Sequence, residues 1–267
     1  MNISRFSSDA ILLKRVEYGD YDLIITFFTR SMGRISVIAK NAKKSVKRFA
    51  GALDPFSVMN ICCTIPKRQN ALPVLCSVDL DDSFAKIRTD TAMTGYAFYW
   101  VEIVNSWMEE GRAQQPLYEL LLYVLDALNS GSMKKEVLSL LFQIRFMTMS
   151  GFDPNFSMCG KCSIPLDEIN QHRIVFDFAE GKFICNKCCK NSIKHGISVS
   201  KGTLKQLLWM KNSDIKRIER IKLAPCSINE GEQLLESFVP CHIGKNLKSL
   251  VFLRRIRGRK CLQYILN

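Results

Sequence analysis

The stretch DLIITFFTRSMGRISVIA, residues 22–39, decides the fold of the first part of the chain. Asp22–Phe28 and Arg34–Ala39 are short runs rich in β-branched and aromatic residues, which favour strands. Thr29–Gly33 lies between them and predicts a hairpin turn, because glycine supplies a backbone conformation that other residues rarely adopt. The chain around this hairpin is therefore expected to form a β domain.

Three further runs with strand character surround the hairpin, at Asp9–Val16, Phe56–Ile65 and Leu72–Val78. Together they give five short strands within residues 1–80, followed by a helical pattern. This order predicts a small Greek-key barrel of the OB type, and a partly open SH3-like barrel is the alternative. The fold class expected for the whole chain is α+β.

The second strand of the hairpin leads into a basic segment, GRISVIAKNAKKSVKRFAG, residues 33–51. A cationic loop on a β scaffold suits a phosphate backbone, because bound lysine and arginine release condensed counterions whatever the base sequence. A solvated basic loop is the alternative. We predict nucleic-acid contacts at Arg34, Lys40, Lys43, Lys44, Lys47 and Arg48.

Composition bounds the class of protein. The chain has 267 residues, is 47% hydrophobic and carries a formal net charge of +13. The cationic excess lies in residues 1–80 and 154–267, whereas residues 81–153 are net acidic, which suggests separate basic surfaces for a polyanion. Neither a membrane-spanning run nor the apolar core of a signal peptide is seen, so a cytoplasmic location without membrane contact is expected.

The pattern changes to helical after residue 80. Helices are predicted at Thr91–Glu109, Leu117–Leu128 and Lys134–Ser150, and Ser200 is expected to cap a helix at Thr203–Met210. Ser227 and Glu230 have the spacing of a capping box.

The order of these patterns divides the chain into domains. Residues 81–153 and 193–250 are predicted to form two parts of one helical domain, with a cysteine-rich module inserted at 154–192 and a basic extension at 251–267.

Two Cys-x-x-Cys pairs, Cys159/Cys162 and Cys185/Cys188, carry the clearest chemical signal in the chain. Two such pairs can place a tetrahedron of thiolates around a structural zinc ion, and a hairpin at Ile174–Ile184 would bring them together. Cys189 could replace Cys188 as the fourth ligand. A four-thiolate site is closed, so it offers no water for catalysis.

Motifs for catalysis are not found. The sequence has no Walker A run, no Gly-x-Gly-x-x-Gly after a strand and no His-Glu-x-x-His. The protein is therefore predicted not to be an enzyme.

The N-terminal third resembles the RecO family of bacterial recombination mediators. The resemblance rests on Tyr18-Gly19, the strand–hairpin–strand, Gly33-Arg-Ile-Ser, the basic loop and Arg48-Phe-Ala-Gly51. The helical middle, the inserted cysteine pairs and CHIGKNLKS at 241–249 follow in the order of that family.

The resemblance implies an OB fold, a helical domain and a zinc module. It also implies binding to single- and double-stranded DNA, annealing of complementary strands and help in loading RecA. RecR and the C-terminal tail of the single-stranded-DNA-binding protein are the implied partners, and association with the nucleoid follows. An OB-fold RNA-binding or transcription accessory protein that contains zinc is the alternative, and a nuclease is a weaker one.

The chain continues beyond the last family-like element through FLRRIRGRKCLQYILN, residues 252–267. Its basic residues suggest a second DNA-contacting surface at Arg254, Arg255 and Arg257. The alternative is a solubilising end to an amphipathic helix.

Overall fold

The computed structural model describes residues 4–45, 47–49, 51–68, 71–189 and 196–258. They fall into two compact units, residues 1–129 and residues 130–267. Each unit has its own sheet and its own helices.

The first unit is built on a closed barrel of five strands. The strands are β1 (Arg5–Tyr18), β2 (Asp22–Thr29), β3 (Gly33–Ala39), β4 (Val58–Thr64) and β5 (Val74–Asp82). They close in the order β1-β2-β3-β5-β4, with β1 paired to β4 and with β3 and β5 parallel. This Greek-key order confirms the OB-type barrel and rules out the SH3-like alternative.

The predicted hairpin forms because its side chains alternate between the barrel interior and the outside. Leu23, Ile25 and Phe27 of β2 point into the core, and the inward residues of β3 pack beside them. Gly33 ends the turn with φ +70°, and a Cβ at this position would lie 1.9 Å from the carbonyl oxygen of Arg112. Both the backbone angle and this close approach therefore require glycine.

The described part of the first unit also contains three helices: α1 (Ala85–Thr89), α2 (Thr91–Trp107) and α3 (Gln115–Ser130). The carboxylate of Asp90 caps α2 by accepting a hydrogen bond from the backbone N–H of Met93 at 2.8 Å. The rings of Phe28 and Tyr118 meet edge to face at 5.6 Å, which seats α3 on the outside of β2. The two helices predicted here are confirmed: the start of α2 agrees, and the other three ends differ by two residues.

The second unit surrounds a small sheet with helices. The sheet has the order β7-β6-β8 and consists of β6 (Arg173–Asp177), β7 (Lys182–Ile184) and β8 (Gly196–Ser200). The helices are α4 (Lys135–Met149), α5 (Lys201–Asn212), α6 (Ile215–Ile218), α7 (Pro225–Ile243) and α8 (Lys248–Ile256). In the part of the chain that the structure describes, no helix is long and apolar enough to cross a membrane.

The helix starts in this unit test two predicted caps. Ser200 caps α5 as predicted, since its hydroxyl accepts from the N–H of Thr203 at 3.2 Å. The capping box at Ser227 and Glu230 is wrong, because α7 begins earlier, at Pro225. Glu230 instead accepts from the N–H of Ser200 at 3.0 Å and from the hydroxyl of Thr203 at 2.7 Å.

The helices are divided between the two compact units. Helices α1 and α2 belong with the barrel, whereas α4, α5 and α7 pack against one another in the second unit. The domain boundaries that we named at residues 80, 153, 192 and 250 stay predictions.

Candidate nucleic-acid interface and metal centre

The basic segment between β3 and β4 is held at both ends by apolar residues. Ala42 and Phe49 are buried in the barrel core, although the cations around them are exposed. A single 3-10 turn at Ala42–Lys44 lies between β3 and the rest of the segment. We call the exposed cations Lys40, Lys43, Lys44, Lys47 and Arg48 the cationic loop.

The cationic loop is tied by hydrogen bonds to the turn between β1 and β2. The N–H of Lys43 donates to the carbonyl oxygen of Tyr21 at 3.0 Å. The N–H of Asn41 donates to the carboxylate of Asp22 at 2.7 Å. These bonds fix the backbone at Asn41 and Lys43, in the first part of the loop.

The cations of this loop differ in how far they are already neutralised. The ammonium of Lys43 lies 2.9 Å from the carboxylate of Glu17 and lowers the pKa of that carboxyl by a direct hydrogen bond. Lys44 lies 3.4 Å from the ring centroid of Tyr21. Arg48 donates to the backbone oxygen of Lys40 at 2.8 Å. Among the described residues, Lys44, Lys47 and Arg48 form no ion pair with a carboxylate.

Arg34 has a different environment from the cationic loop. It lies on the outer side of β3 and is half-buried, and its carbonyl oxygen accepts from the N–H of Gly111 at 2.9 Å. Its Nε atom is buried without a hydrogen-bond partner among the described residues. Arg34 therefore presents less of its charge to solvent than the loop does.

Phe28 and Phe49 are core residues. Their exposed fractions are 0% and 4%, so neither ring is open to a nucleobase. Two exposed aromatic residues, Tyr18 and Tyr21, instead lie at the β1–β2 turn, to which the loop is hydrogen-bonded. Sequence reasoning missed them, although two tyrosines that flank a Gly-Asp turn were a usable signal.

Two of the three C-terminal arginines, Arg254 and Arg257, have carboxylate partners within the second unit, and the DNA contacts predicted for them stay predictions. Arg254 on α8 and Arg257 at the C-cap of this helix form ion pairs with Glu236 and Glu232 on α7, at 3.1 and 2.6 Å. The two glutamate side chains are only 2% and 1% exposed. Because a buried carboxylate is costly without its cation, these two guanidinium groups are held in place as structural partners.

Arg255 is exposed and keeps its predicted role as a proposal. The basic residues Arg259 and Lys260 lie outside the described residues.

The structure brings together the four cysteines that the spacing singled out. The sulfur atoms of Cys159, Cys162, Cys185 and Cys188 all lie within 4.8 Å of one another. Cys159 and Cys185 are buried, and the β6–β7 hairpin connects the two pairs as predicted. The backbone N–H groups of Cys188 and Cys189 both donate to the carbonyl oxygen of Cys185, but only Cys188 belongs to the cluster.

The polar surroundings of the sulfur atoms favour ionised thiols at one position. Burial opposes ionisation of Cys159, but backbone N–H groups of Cys185, Cys162 and Lys161 outweigh it and lower the pKa of Cys159 to about 6. The neighbouring sulfurs of Cys162 and Cys185 raise the pKa of Cys188 to about 12. The surroundings of Cys159 therefore favour the thiolate, whereas those of Cys188 favour the protonated thiol until a cation binds.

The cluster is compact enough to close around a metal ion, and one pair of its sulfur atoms already has the separation of a tetrahedral thiolate site. Zn–S bonds of about 2.3 Å imply sulfur–sulfur separations of about 3.8 Å, and Cys162 Sγ lies 3.7 Å from Cys185 Sγ. All four donors are cysteine sulfurs, which suit zinc better than magnesium or calcium. The donor set therefore fits a metal ion.

The geometry defines a class: an OB-fold protein that displays a cationic loop on its barrel and carries a cluster of four cysteines that could hold a metal ion. The comparisons with known proteins then give the family. Residues 1–84 match the family described as Recombination protein O N terminal, and residues 88–251 match Recombination protein O C terminal. The chain belongs to the RecO family, as the resemblance indicated.

Similar proteins cover nearly the whole chain. A DNA repair protein RecO of Desulfatibacillum aliphaticivorans is 39% identical over 95% of this chain and 98% of its own. A protein of the same name from Desulfosudis oleivorans is 37% identical over 94% of this chain and 98% of its own. That of Syntrophus aciditrophicus is 32% identical over 94% and 95%.

Proposed function

We propose that this protein is a DNA-repair and recombination mediator that binds single- and double-stranded DNA and anneals complementary strands. The observation that carries the proposal is the cationic loop, displayed on a closed OB barrel and anchored by Ala42 and Phe49. Membership of the RecO family supports the role in repair and recombination.

The loop would act on the sugar–phosphate chain and not on base edges. Lys44, Lys47 and Arg48 have no carboxylate partner among the described residues, so phosphate oxygens would meet cations that are not yet neutralised. Contacts of this kind release counterions and are independent of base sequence. Cations held between two strands also screen their mutual repulsion, which favours annealing without nucleotide hydrolysis.

Strand loading would follow from the same surface. We propose that the protein assists RecA loading on strands coated by the single-stranded-DNA-binding protein, with RecR and the C-terminal tail of that coating protein as partners. It would act in the cytoplasm at the nucleoid, and as a mediator, not as an enzyme. The family resemblance supports these partners.

The cysteine cluster would hold one structural zinc ion through Cys159, Cys162, Cys185 and Cys188. A bound zinc ion supplies folding free energy to a small module, because the unfolded chain has no preformed site. The chain's own contribution is to bury Cys159 and Cys185 and to hold the two pairs on the β6–β7 hairpin.

The exposed side chain of Arg255 is proposed as an additional DNA contact.

The experiment is annealing of complementary oligonucleotides that are coated with the single-stranded-DNA-binding protein. The wild-type chain should accelerate annealing, and a Lys44→Ala/Lys47→Ala/Arg48→Ala variant should lose most of this acceleration. The same titration with RNA strands tests the alternative. Annealing of RNA but not DNA would favour an RNA-binding protein, and no acceleration with either would contradict the proposal.

A further inference from the structure

Two tyrosines at the turn between β1 and β2 are unusually exposed. Tyr18 and Tyr21 are 54% and 44% exposed, whereas other large aromatic side chains of the same unit, such as Tyr96 and Trp100, are 0% exposed. Tyrosine combines a large apolar ring with a polar hydroxyl group, and it is therefore enriched at interfaces, where one end is apolar and the other is wet. The turn between them contains only Gly19 and Asp20.

The turn is held rigidly against the cationic loop. Tyr18 forms the last pair of the β1–β2 hairpin with Asp22. The carbonyl oxygen of Tyr21 accepts from the N–H of Lys43 at 3.0 Å, and that of Gly19 accepts from the Lys43 ammonium at 3.4 Å. The backbone that carries the two tyrosines is therefore fixed relative to Lys43 of the loop.

Aromatic surface and positive charge are adjacent at this turn. The Lys44 ammonium lies 3.4 Å from the ring centroid of Tyr21, which is a cation–π contact. Lys44 has no carboxylate partner among the described residues, unlike Lys43 with Glu17. A nucleotide has the two matching groups, a phosphate for the ammonium and a flat base for a ring.

We propose that Tyr18 and Tyr21 form a stacking surface for unpaired nucleobases, with Lys44 placing the adjoining phosphate. The inference rests on the proposed DNA binding and adds a preference for single strands. Every base has a π face, so stacking tolerates any sequence. In a duplex these faces are covered by neighbouring base pairs, so the two rings contribute to single-strand binding alone.

The test compares three variants of the full chain with the wild type. Tyr18→Ser/Tyr21→Ser removes both rings, Tyr18→Phe/Tyr21→Phe keeps them, and Trp209→Ser removes an aromatic side chain that is 39% exposed on α5. Binding is measured by fluorescence anisotropy with an oligothymidine and with a hairpin duplex. A second oligothymidine that contains 2-aminopurine reports stacking, because its fluorescence falls when the base stacks.

The serine variant should bind the single strand about tenfold more weakly for each ring that stacks. Its quenching of 2-aminopurine should fall, its duplex affinity should not change, and its dependence on salt should match the wild type because no cation is lost. The phenylalanine and Trp209 variants should bind like the wild type.

Equal single-strand affinity and equal quenching in the serine variant would overturn the stacking surface, and would leave a protein contact or the Tyr21–Lys44 pair as the role of these rings. Equal losses for single strand and duplex would also overturn it. Absence of DNA binding by the wild type would instead contradict the proposed function itself.

Discussion

Removing cations from the loop should weaken DNA binding by a predictable dependence on salt. The perturbation is Lys44→Ala/Lys47→Ala/Arg48→Ala, which deletes three side chains without a carboxylate partner among the described residues. For single strands each phosphate contact contributes about 0.7 to the slope of log K against log salt. If all three cations touch phosphate, the slope should become shallower by about 2.

The size of the slope change distinguishes phosphate contacts at this loop from a general effect of the protein's charge. Over a roughly fourfold rise in salt concentration, a slope difference of about 2 means that the variant loses about twentyfold less affinity than the wild type. Lys43→Ala should change the slope less than Lys47→Ala does, because Glu17 already neutralises much of the Lys43 charge. The cost in stability should be small, since the loop cations are exposed.

The assay is fluorescence anisotropy of a labelled oligothymidine, titrated with each variant at several salt concentrations. A matched control, Lys216→Ala/Arg217→Ala/Arg220→Ala, removes three exposed cations at and just after α6 in the second unit. The control should keep the wild-type slope. An unchanged slope in the loop variant, or an equal change in the control, would refute the argument that the loop holds the phosphates.

Three further predictions concern stability and the metal. In urea titrations, Gly33→Ala should lower the free energy of unfolding by about 1–3 kcal/mol more than Gly19→Ala. Both glycines have positive φ, but only a Cβ at position 33 would meet the backbone of Arg112. Equal losses in the two variants would contradict this. Metal analysis should find one zinc ion per chain in the wild type and in Cys189→Ser. Chelation and Cys185→Ser should each remove the zinc ion and lower the thermal midpoint measured by circular dichroism. Retention of zinc in Cys185→Ser would be evidence against the site. Burial opposes ionisation of Glu230, but hydrogen bonds from Ser200, Thr203 and Arg173 outweigh it and lower the pKa of Glu230 from 4.5 to about 2. The Glu230 carboxylate should therefore stabilise the folded protein fully above about pH 4.5, and this contribution should be lost as the pH falls towards 2. Glu230→Gln should remove this part of the acid dependence of unfolding, and an identical pH profile in the two proteins would show that the Glu230 hydrogen bonds contribute nothing.

Local patterns explain why much of the fold and the metal site could be predicted. The β2–β3 hairpin follows from alternating apolar residues and a glycine at the turn, and both signals lie within eighteen residues of sequence, 22–39. The cysteine cluster follows from two Cys-x-x-Cys pairs, because each pair fixes two ligands locally. The choice between Cys188 and Cys189 could not be made from the sequence, because the two cysteines are adjacent. Their backbone N–H groups even bond to the same carbonyl oxygen, and only the position of the Cys188 sulfur distinguishes them.

The missed features depend on contacts that are distant in sequence. The buried roles of Arg254 and Arg257 need Glu232 and Glu236, which lie on another helix and look like ordinary surface residues in the sequence. A basic run shows charge but not the direction in which the side chains point.

The proposed function depends most on contact between the DNA strand and the cationic loop with the adjacent turn of the barrel. Photocrosslinking of the full chain to an oligonucleotide with 4-thiothymidine, followed by mass spectrometry of the crosslinked peptides, locates that contact directly. We expect crosslinks within residues 18–49, and we expect them to diminish as salt is added. Crosslinks confined to residues 130–258, or none in the barrel, would contradict the account.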